Sequence, residues 1–215
     1  MSAGPHEQKI TIGVLGFQGD IEENVAATRQ AMRDLDVEGT VKLVRYQEEF
    51  EQIDGLVMPG GESTVQSTLA AIQQSLPIIK KRVGEGMPVL GTCAGMIMLS
   101  KRAFDRVVGD TKQKLMGNLD IVIERNAFGR QNQSFETDMD IPAFGKEAFR
   151  GVFIRAPAVS EVGSGVEVIA KFGDRIVAVR QGNIIGTAFH PELSGDARVH
   201  KRLVEMAIDF KAKHT

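Results

Sequence analysis

The spacing of apolar residues changes character half-way along this chain. In the first half, short apolar runs alternate with stretches of helical period. Residues 10–16 form an apolar run and predict a buried strand. Residues 20–36 predict a helix, with Asp20 as N-cap and Glu23 three positions on in a capping-box-like pair. Residues 40–46 are rich in β-formers, and 54–58 read as another strand. Residues 63–83 have helical spacing, which Pro77 should kink or divide because proline lacks an amide proton. Residues 88–92 and 93–102 read as a strand and a helix joined by a sharp elbow. Repeated strand–helix units predict a parallel sheet with right-handed crossovers.

The second half predicts mostly strands, over 118–124, 134–141, 151–155, 166–172, 175–180 and 183–189. Gly173-Asp174 marks a hairpin turn between two of them. A closing helix is predicted near 196–213, with Val199, Leu203, Ala207 and Phe210 on one face. Residues 103–117 carry mixed charge and little periodicity, and read as an exposed connection. There is no internal repeat, linker or low-complexity segment, so one domain is expected over 1–215, with 1–8 as a flexible tail.

Composition narrows the function classes. A chain of 215 residues with 42% hydrophobic content is long enough to bury a full core. With 26 basic and 28 acidic residues, nothing in the charge calls for nucleic acid. The absence of tryptophan and the single Tyr46 argue against a base-stacking surface. No apolar stretch approaches membrane-spanning length and the N-terminus has no signal-peptide core, so a soluble cytoplasmic protein is expected. One cysteine excludes an internal disulfide and a multi-cysteine metal site. The nine methionines read as core filler, and Lys80-Lys81-Arg82 as a cap on the negative end of a helix.

That cysteine carries the chemistry. Gly91-Thr92-Cys93-Ala94-Gly95 places it between small residues, after a strand and before a helix. A nucleophile on such a turn needs small neighbours, because the backbone is strained and the chain passes close. A helix N-terminus also favours the thiolate. The bland alternative is a small buried hydrophobe. A thiol nucleophile needs a base. Of the four histidines, His6 lies in the tail, His200 among charges in the terminal helix, and His214 at the penultimate position. His190 ends an apolar run and precedes Pro191-Glu192. In an extended segment positions i and i+2 face the same way, so Glu192 would lie beside the ring and fix its tautomer. Pro59-Gly60-Gly61-Glu62-Ser63-Thr64 follows a strand and opens a helix. Without a Gly-Lys-Ser/Thr ending it is no P-loop, and an oxyanion hole built from the amides of Gly61 and Ala94 fits better. Gly13, Gly16 and Gly19 do not have dinucleotide-binding spacing.

With these motifs in this order, the chain resembles a class I (triad) glutamine amidotransferase. Gly13-Val14-Leu15-Gly16-Phe17-Gln18-Gly19, Glu124-Arg125-Asn126-Ala127-Phe128-Gly129-Arg130-Gln131 and Phe153-Ile154-Arg155-Ala156-Pro157 narrow the match. They make it most similar to the glutaminase subunits of pyridoxal 5′-phosphate synthases, from about Lys9 to the C-terminus. The resemblance implies a flavodoxin-like three-layer fold, with a mostly parallel central sheet and an antiparallel second half. It implies glutamine hydrolysis by Cys93, His190 and Glu192, with Gly61 and Ala94 as oxyanion donors. Gly61, Glu62, Ser63, Arg125, Ile154 and Arg155 would hold L-glutamine, and Gln18 would sit near the oxyanion loop and a partner contact. No metal or organic cofactor is implied. The implied partner is a barrel-shaped synthase subunit that accepts the ammonia. Two other classes stay open on the residues alone: a stand-alone γ-glutamyl hydrolase with the same triad, and a noncatalytic subunit that keeps the fold.

Overall fold

The computed structural model describes residues 9–129 and 134–214. The expected tail 1–8 with His6, and Arg130 and Gln131 of the family-like segment, lie outside the described residues. The chain begins β1 (Ile10–Leu15), α1 (Ile21–Asp34), β2 (Gly39–Val44), α2 (Gln47–Phe50) and β3 (Gly55–Met58). It continues through α3 (Ser63–Ile72), α4 (Ser75–Gly84), β4 (Val89–Thr92), α5 (Ala94–Leu99), β5 (Ser100–Asp105) and β6 (Gly109–Asp110). The second half holds β7 (Leu119–Arg125), β8 (Ser134–Met139), β9 (Phe149–Ile154), β10 (Ala158–Val162), β11 (Glu167–Phe172), β12 (Arg175–Gln181) and β13 (Ile184–Thr187). It closes with α6 (Arg198–His214).

Among the described residues, eleven strands share one sheet in the order β2-β1-β3-β4-β13-β12-β10-β7-β5-β6, with β11 paired to β12. The strands from β2 to β13 are mutually parallel. β12 reverses against β13, and β10 and β7 continue antiparallel. β8 and β9 form a separate hairpin. Every residue of β3, β4 and β13 is buried. These strands are apolar but for Thr92 and Thr187 at their ends, because helices cover both faces of a parallel sheet. α1 and α6 pack together on one face, and α3 and α5 on the other. The expected three layers and mixed sheet are therefore present. Met58, Met87, Met96, Met98 and Met116 are buried, as expected of core filler.

Several boundaries differ from the sequence reading. The helix over 63–83 breaks at Gln74, which takes φ 53°, and not at Pro77. Pro77 sits in the first turn of α4, where amides have no intrahelical acceptor and proline costs little. The elbow helix stops at Leu99 instead of running to 102. The Ser100 hydroxyl takes up the Ile97 carbonyl (2.7 Å), and β5 starts at once. The connection 103–117 is only partly exposed. Met116 is buried and bonds Met98, while the Lys114 carbonyl accepts from Ser67 (2.9 Å). β10 was not anticipated. Lys81 and Arg82 lie in the last turn of α4, at its negative end as expected, and Arg82 also donates to the carbonyls of Phe50 (3.2 Å) and Ile53 (2.9 Å). His200 is fully buried on α6 and contacts Asn24 Oδ1 through Nε2 (3.2 Å). Burial lowers its pKa to about 4, so it is neutral at physiological pH.

Candidate active site

Cys93 sits at the C-terminal end of β4 with φ 48° and ψ −102°, outside the conformations L-residues favour. Its amide bonds the Thr187 carbonyl (2.7 Å), which ties the elbow to β13. α5 begins at Ala94, so the Ala94 amide is one of the helix's unpaired N-terminal donors. Gly95 shows why the neighbours are small. A Cβ there would overlap the Met58 backbone carbonyl, which belongs to β3 and cannot swing away. We expect Gly95→Ala to destabilise the fold by about 3 kcal/mol or more, as overpacking against rigid backbone does. A denaturant midpoint equal to wild type would show instead that the elbow relaxes freely.

His190 follows β13 and is buried, with its amide on the Val152 carbonyl (2.8 Å). Nδ1 lies 2.9 Å from Glu192 Oε1, and the Glu192 side chain is wholly buried. The expected pairing is present, but its geometry differs. Pro191–Leu193 form a 3-10 turn, not an extended segment, and this turn swings Glu192 back onto the ring. Nδ1 also lies 3.1 Å from Asp20 Oδ2. Burial alone would lower the His190 pKa. Asp20, Cys93 and Glu192 around the ring outweigh it and push the pKa up to about 12. The hydrogen bond to His190 in turn holds Asp20 below the usual carboxylate range. Nε2 is buried and has no hydrogen-bond partner among the described residues.

The loop Pro59-Gly60-Gly61 leaves β3 beside this ring. A Cβ on Gly60 would run into His190 Cε1, and one on Gly61 would lie 2.6 Å from Gln18 Oε1. Gly61 also takes φ +136°. Gln18 Oε1 accepts from the Glu62 amide (2.8 Å), so the expected proximity of Gln18 to this loop is observed. Fully buried Gln66 on α3 holds the same region, with Nε2 near the carbonyls of Pro59 (3.1 Å), Gly60 (3.2 Å) and Gln18 (3.1 Å).

These elements surround a cavity of about 320 Å³ at the C-terminal edge of the parallel strands. Gln18, Gly61, Glu62, Ser63, Cys93, Arg125, Ile154, Arg155 and His190 all line it. Glu192 lies behind His190, and Ala94 beside Cys93. Arg125 pairs with Glu62 (2.7 Å), and Arg155 stands after β9 with φ 43°. The Ser63 hydroxyl is turned to Gln113 Oε1 (3.2 Å). Sequence reasoning missed Asp20 and Gln66. Asp20 read as an N-cap, yet its side chain makes no cap bond. Gln66 shares the inward face of α3 with Ser63, Ser67 and Ala70, which a buried polar stripe could have signalled. Nδ1 of His190 and one oxygen each of Asp20 and Glu192 lie within 4.8 Å of one another, near enough for a cation.

The sequence profile of the SNO glutamine amidotransferase family matches residues 14–209. The chain belongs to this glutamine amidotransferase family. A curated relative from Nitrosopumilus maritimus, named pyridoxal 5′-phosphate synthase subunit PdxT, is 49% identical over 200 residues, covering 93% of this chain and 98% of its own. One of the same name from Streptomyces avermitilis is 49% identical over 195 residues, covering 91% and 92%. A crystal structure of a glutamine amidotransferase, 43% identical, superposes with a TM-score of 0.79 over 91% of this chain and 98% of that one. A glutamine amidotransferase from Thermotoga maritima, 12% identical, shares the fold with a TM-score of 0.60. The family's fold is thus the flavodoxin-like arrangement expected from the motifs. Among the described residues, no helix is long and apolar enough to cross a membrane.

Proposed function

We propose that this glutamine amidotransferase is the glutaminase subunit of a pyridoxal 5′-phosphate synthase. The observation that carries the reading is the convergence of Cys93, His190 and the Gly60-Gly61 loop on one cavity, with Glu192 behind the imidazole. The Cys93 thiolate attacks the carboxamide carbon of L-glutamine. The amides of Gly61 and Ala94 stabilise the oxyanion. His190, oriented by Glu192, gives a proton to the departing ammonia and leaves a γ-glutamyl thioester. His190 then takes a proton from water, which attacks the thioester carbonyl and expels the Cys93 thiolate; glutamate leaves after losing its new carboxyl proton to solvent, and the thiolate and charged imidazole are restored. Glu62 suits the substrate ammonium group, and Arg125 and Arg155 its carboxylate. Ile154 and Ser63 complete the pocket wall, and Gln18 holds the oxyanion loop.

Ammonia is useful only if an acceptor takes it before it escapes. The partner we propose is the barrel-shaped synthase subunit, in the cytoplasm, with this chain as a single glutaminase domain over 1–215. Pyridoxal phosphate is then the partner's product, and the triad reaction needs no cofactor of its own. The test is co-purification with the native synthase and an assay of glutamine-dependent pyridoxal phosphate formation. His190→Asn should abolish that formation, and ammonium salt should restore it. Failure of ammonium to rescue an assembled complex would mean that the chain supplies more than ammonia. Full glutaminase activity unchanged by the synthase would instead favour a stand-alone hydrolase.

A further inference from the structure

We infer that Asp20 is a second positioning carboxylate of this site, sharing the Nδ1 proton of His190 with Glu192 and stabilising the charged imidazole that faces Cys93. The inference rests on the glutaminase reading for its consequences, but its geometry stands independently. Nδ1 carries one proton, and two carboxylate oxygens lie at hydrogen-bond distance from it, Glu192 Oε1 at 2.9 Å and Asp20 Oδ2 at 3.1 Å. The two acids come from different elements. Glu192 belongs to the turn that carries His190, so it moves with the ring. Asp20 comes from the loop between β1 and α1, and anchors the ring to the opposite wall.

Two further observations show that Asp20 is aimed there. An aspartate immediately before a helix ordinarily caps it, at a gain of about 1 kcal/mol. Here the side chain makes no cap bond, although the Asp20 carbonyl receives both the Asn24 amide (3.2 Å) and Asn24 Nδ2 (2.7 Å). The Asp20 carbonyl takes the first helical bond, but its backbone, at φ −77° and ψ 57°, is not the extended conformation of an ordinary N-cap, and the carboxylate points to the ring. Gly60 also leaves the intervening space open. A Cβ at that position would stand 2.8 Å from Asp20 Oδ2 and 2.9 Å from His190 Nδ1. The missing side chain is what lets the carboxylate reach the ring.

The charges facing His190 can be named from every side. Glu192 comes from its own turn, Asp20 from the β1–α1 loop and Cys93 from the elbow. Glu62, Arg125 and Arg155 stand across the cavity, the first two paired with each other. Among the described residues, Asp20 and Glu192 are the carboxylates whose oxygens lie within 3.1 Å of Nδ1, Glu192 through a hydrogen bond and Asp20 as a close ion-pair neighbour. Each favours the imidazolium over the neutral ring, so removing the charge of either must lower the pH at which Nδ1–H or Nε2–H is lost. The charged ring is needed twice, opposite the Cys93 thiolate and as proton donor to ammonia. Loss of Asp20 should therefore act on turnover and on the alkaline side of the pH profile, not on glutamine binding.

The experiment compares wild type, Asp20→Asn and Asp20→Ala as full chains. The asparagine oxygen can still accept from Nδ1–H, so Asp20→Asn removes charge with little change of shape. Imidazole nitrogen NMR of each free chain should show His190 deprotonating at least about one pH unit lower in both variants, a tenfold change in the protonation equilibrium. In the synthase complex, kcat should fall about tenfold and the alkaline limb of kcat/KM should move to lower pH, with KM for glutamine changed less than about twofold. An unaltered His190 titration in both variants would overturn the inference. So would a raised KM with normal kcat, which would make Asp20 a substrate ligand. If wild type itself fails to hydrolyse glutamine, the glutaminase reading falls, while the titration still decides the role of Asp20. If Asp20→Ala does not fold, the near-isosteric Asp20→Asn carries the test.

Discussion

Cys93→Ala is expected to abolish glutamine hydrolysis while leaving a folded chain that still binds glutamine. The chain holds no second cysteine to substitute for the lost thiol. Loss of the nucleophile in enzymes that form acyl intermediates costs on the order of 10⁴-fold or more in turnover. The fold should tolerate the change, because alanine keeps the Cβ and meets the same backbone strain at φ 48°. The elbow contacts that fix this position are backbone bonds, the Cys93 amide to Thr187 (2.7 Å) and the Ile97 amide to the Cys93 carbonyl (3.2 Å). Neither uses the sulfur. An electrophilic glutamine analogue should label wild type at one site and the variant at none. Turnover near wild type in Cys93→Ala would remove the cysteine from the chemistry.

Glu192→Gln carries the second largest expected effect, a loss of about 10²–10⁴-fold in turnover, by analogy with other triad acids. The side chain is wholly buried against His190, so a glutamine there keeps the shape but loses the charge. Its amide group can also donate to Nδ1 and impose the wrong tautomer. Asp20 remains on the same nitrogen in this variant, which places the expected loss toward the smaller end of the range. Glutamine affinity should change little, because Glu192 stands behind the ring and does not line the cavity. Turnover and binding measured separately, with the synthase present, decide the matter. Near-normal turnover would leave a Cys–His dyad supported by Asp20. A binding defect with normal turnover would make Glu192 a substrate ligand.

Most elements were legible because their burial is patterned locally. β3, β4 and β13 are apolar at nearly every position, and α6 carries its inward residues at helical spacing. The strands that were not anticipated lack such a pattern. β5 reads Ser-Lys-Arg-Ala-Phe-Asp, with exposed charge at Lys101 and Arg102, and only its sheet neighbours make it a strand. β10 buries Ala158 and Val159 and exposes the rest. Strand identity in both comes from hydrogen-bond partners far away in sequence, which local periodicity does not encode.

The site divides in the same way. By itself, the sequence pointed to Cys93, His190 and Glu192 as the candidate nucleophile, base and orienting acid, and the structure brings the three together. A lone cysteine between glycines and a His-Pro-Glu run each encode their geometry within a few residues. The glycine loop was likewise readable, because backbone approach demands glycine wherever it occurs. Tertiary structure alone decided which side chains meet across elements. It brought Arg125 to Glu62, placed Gln66 under the Pro59-Gly60-Gly61 loop, and turned Asp20 from a helix cap into a partner of His190. The physical reason is that an aspartate before a helix has two good uses for its carboxylate. Only the position of a ring brought in by the last sheet strand, through a gap left by Gly60, determines which one it takes.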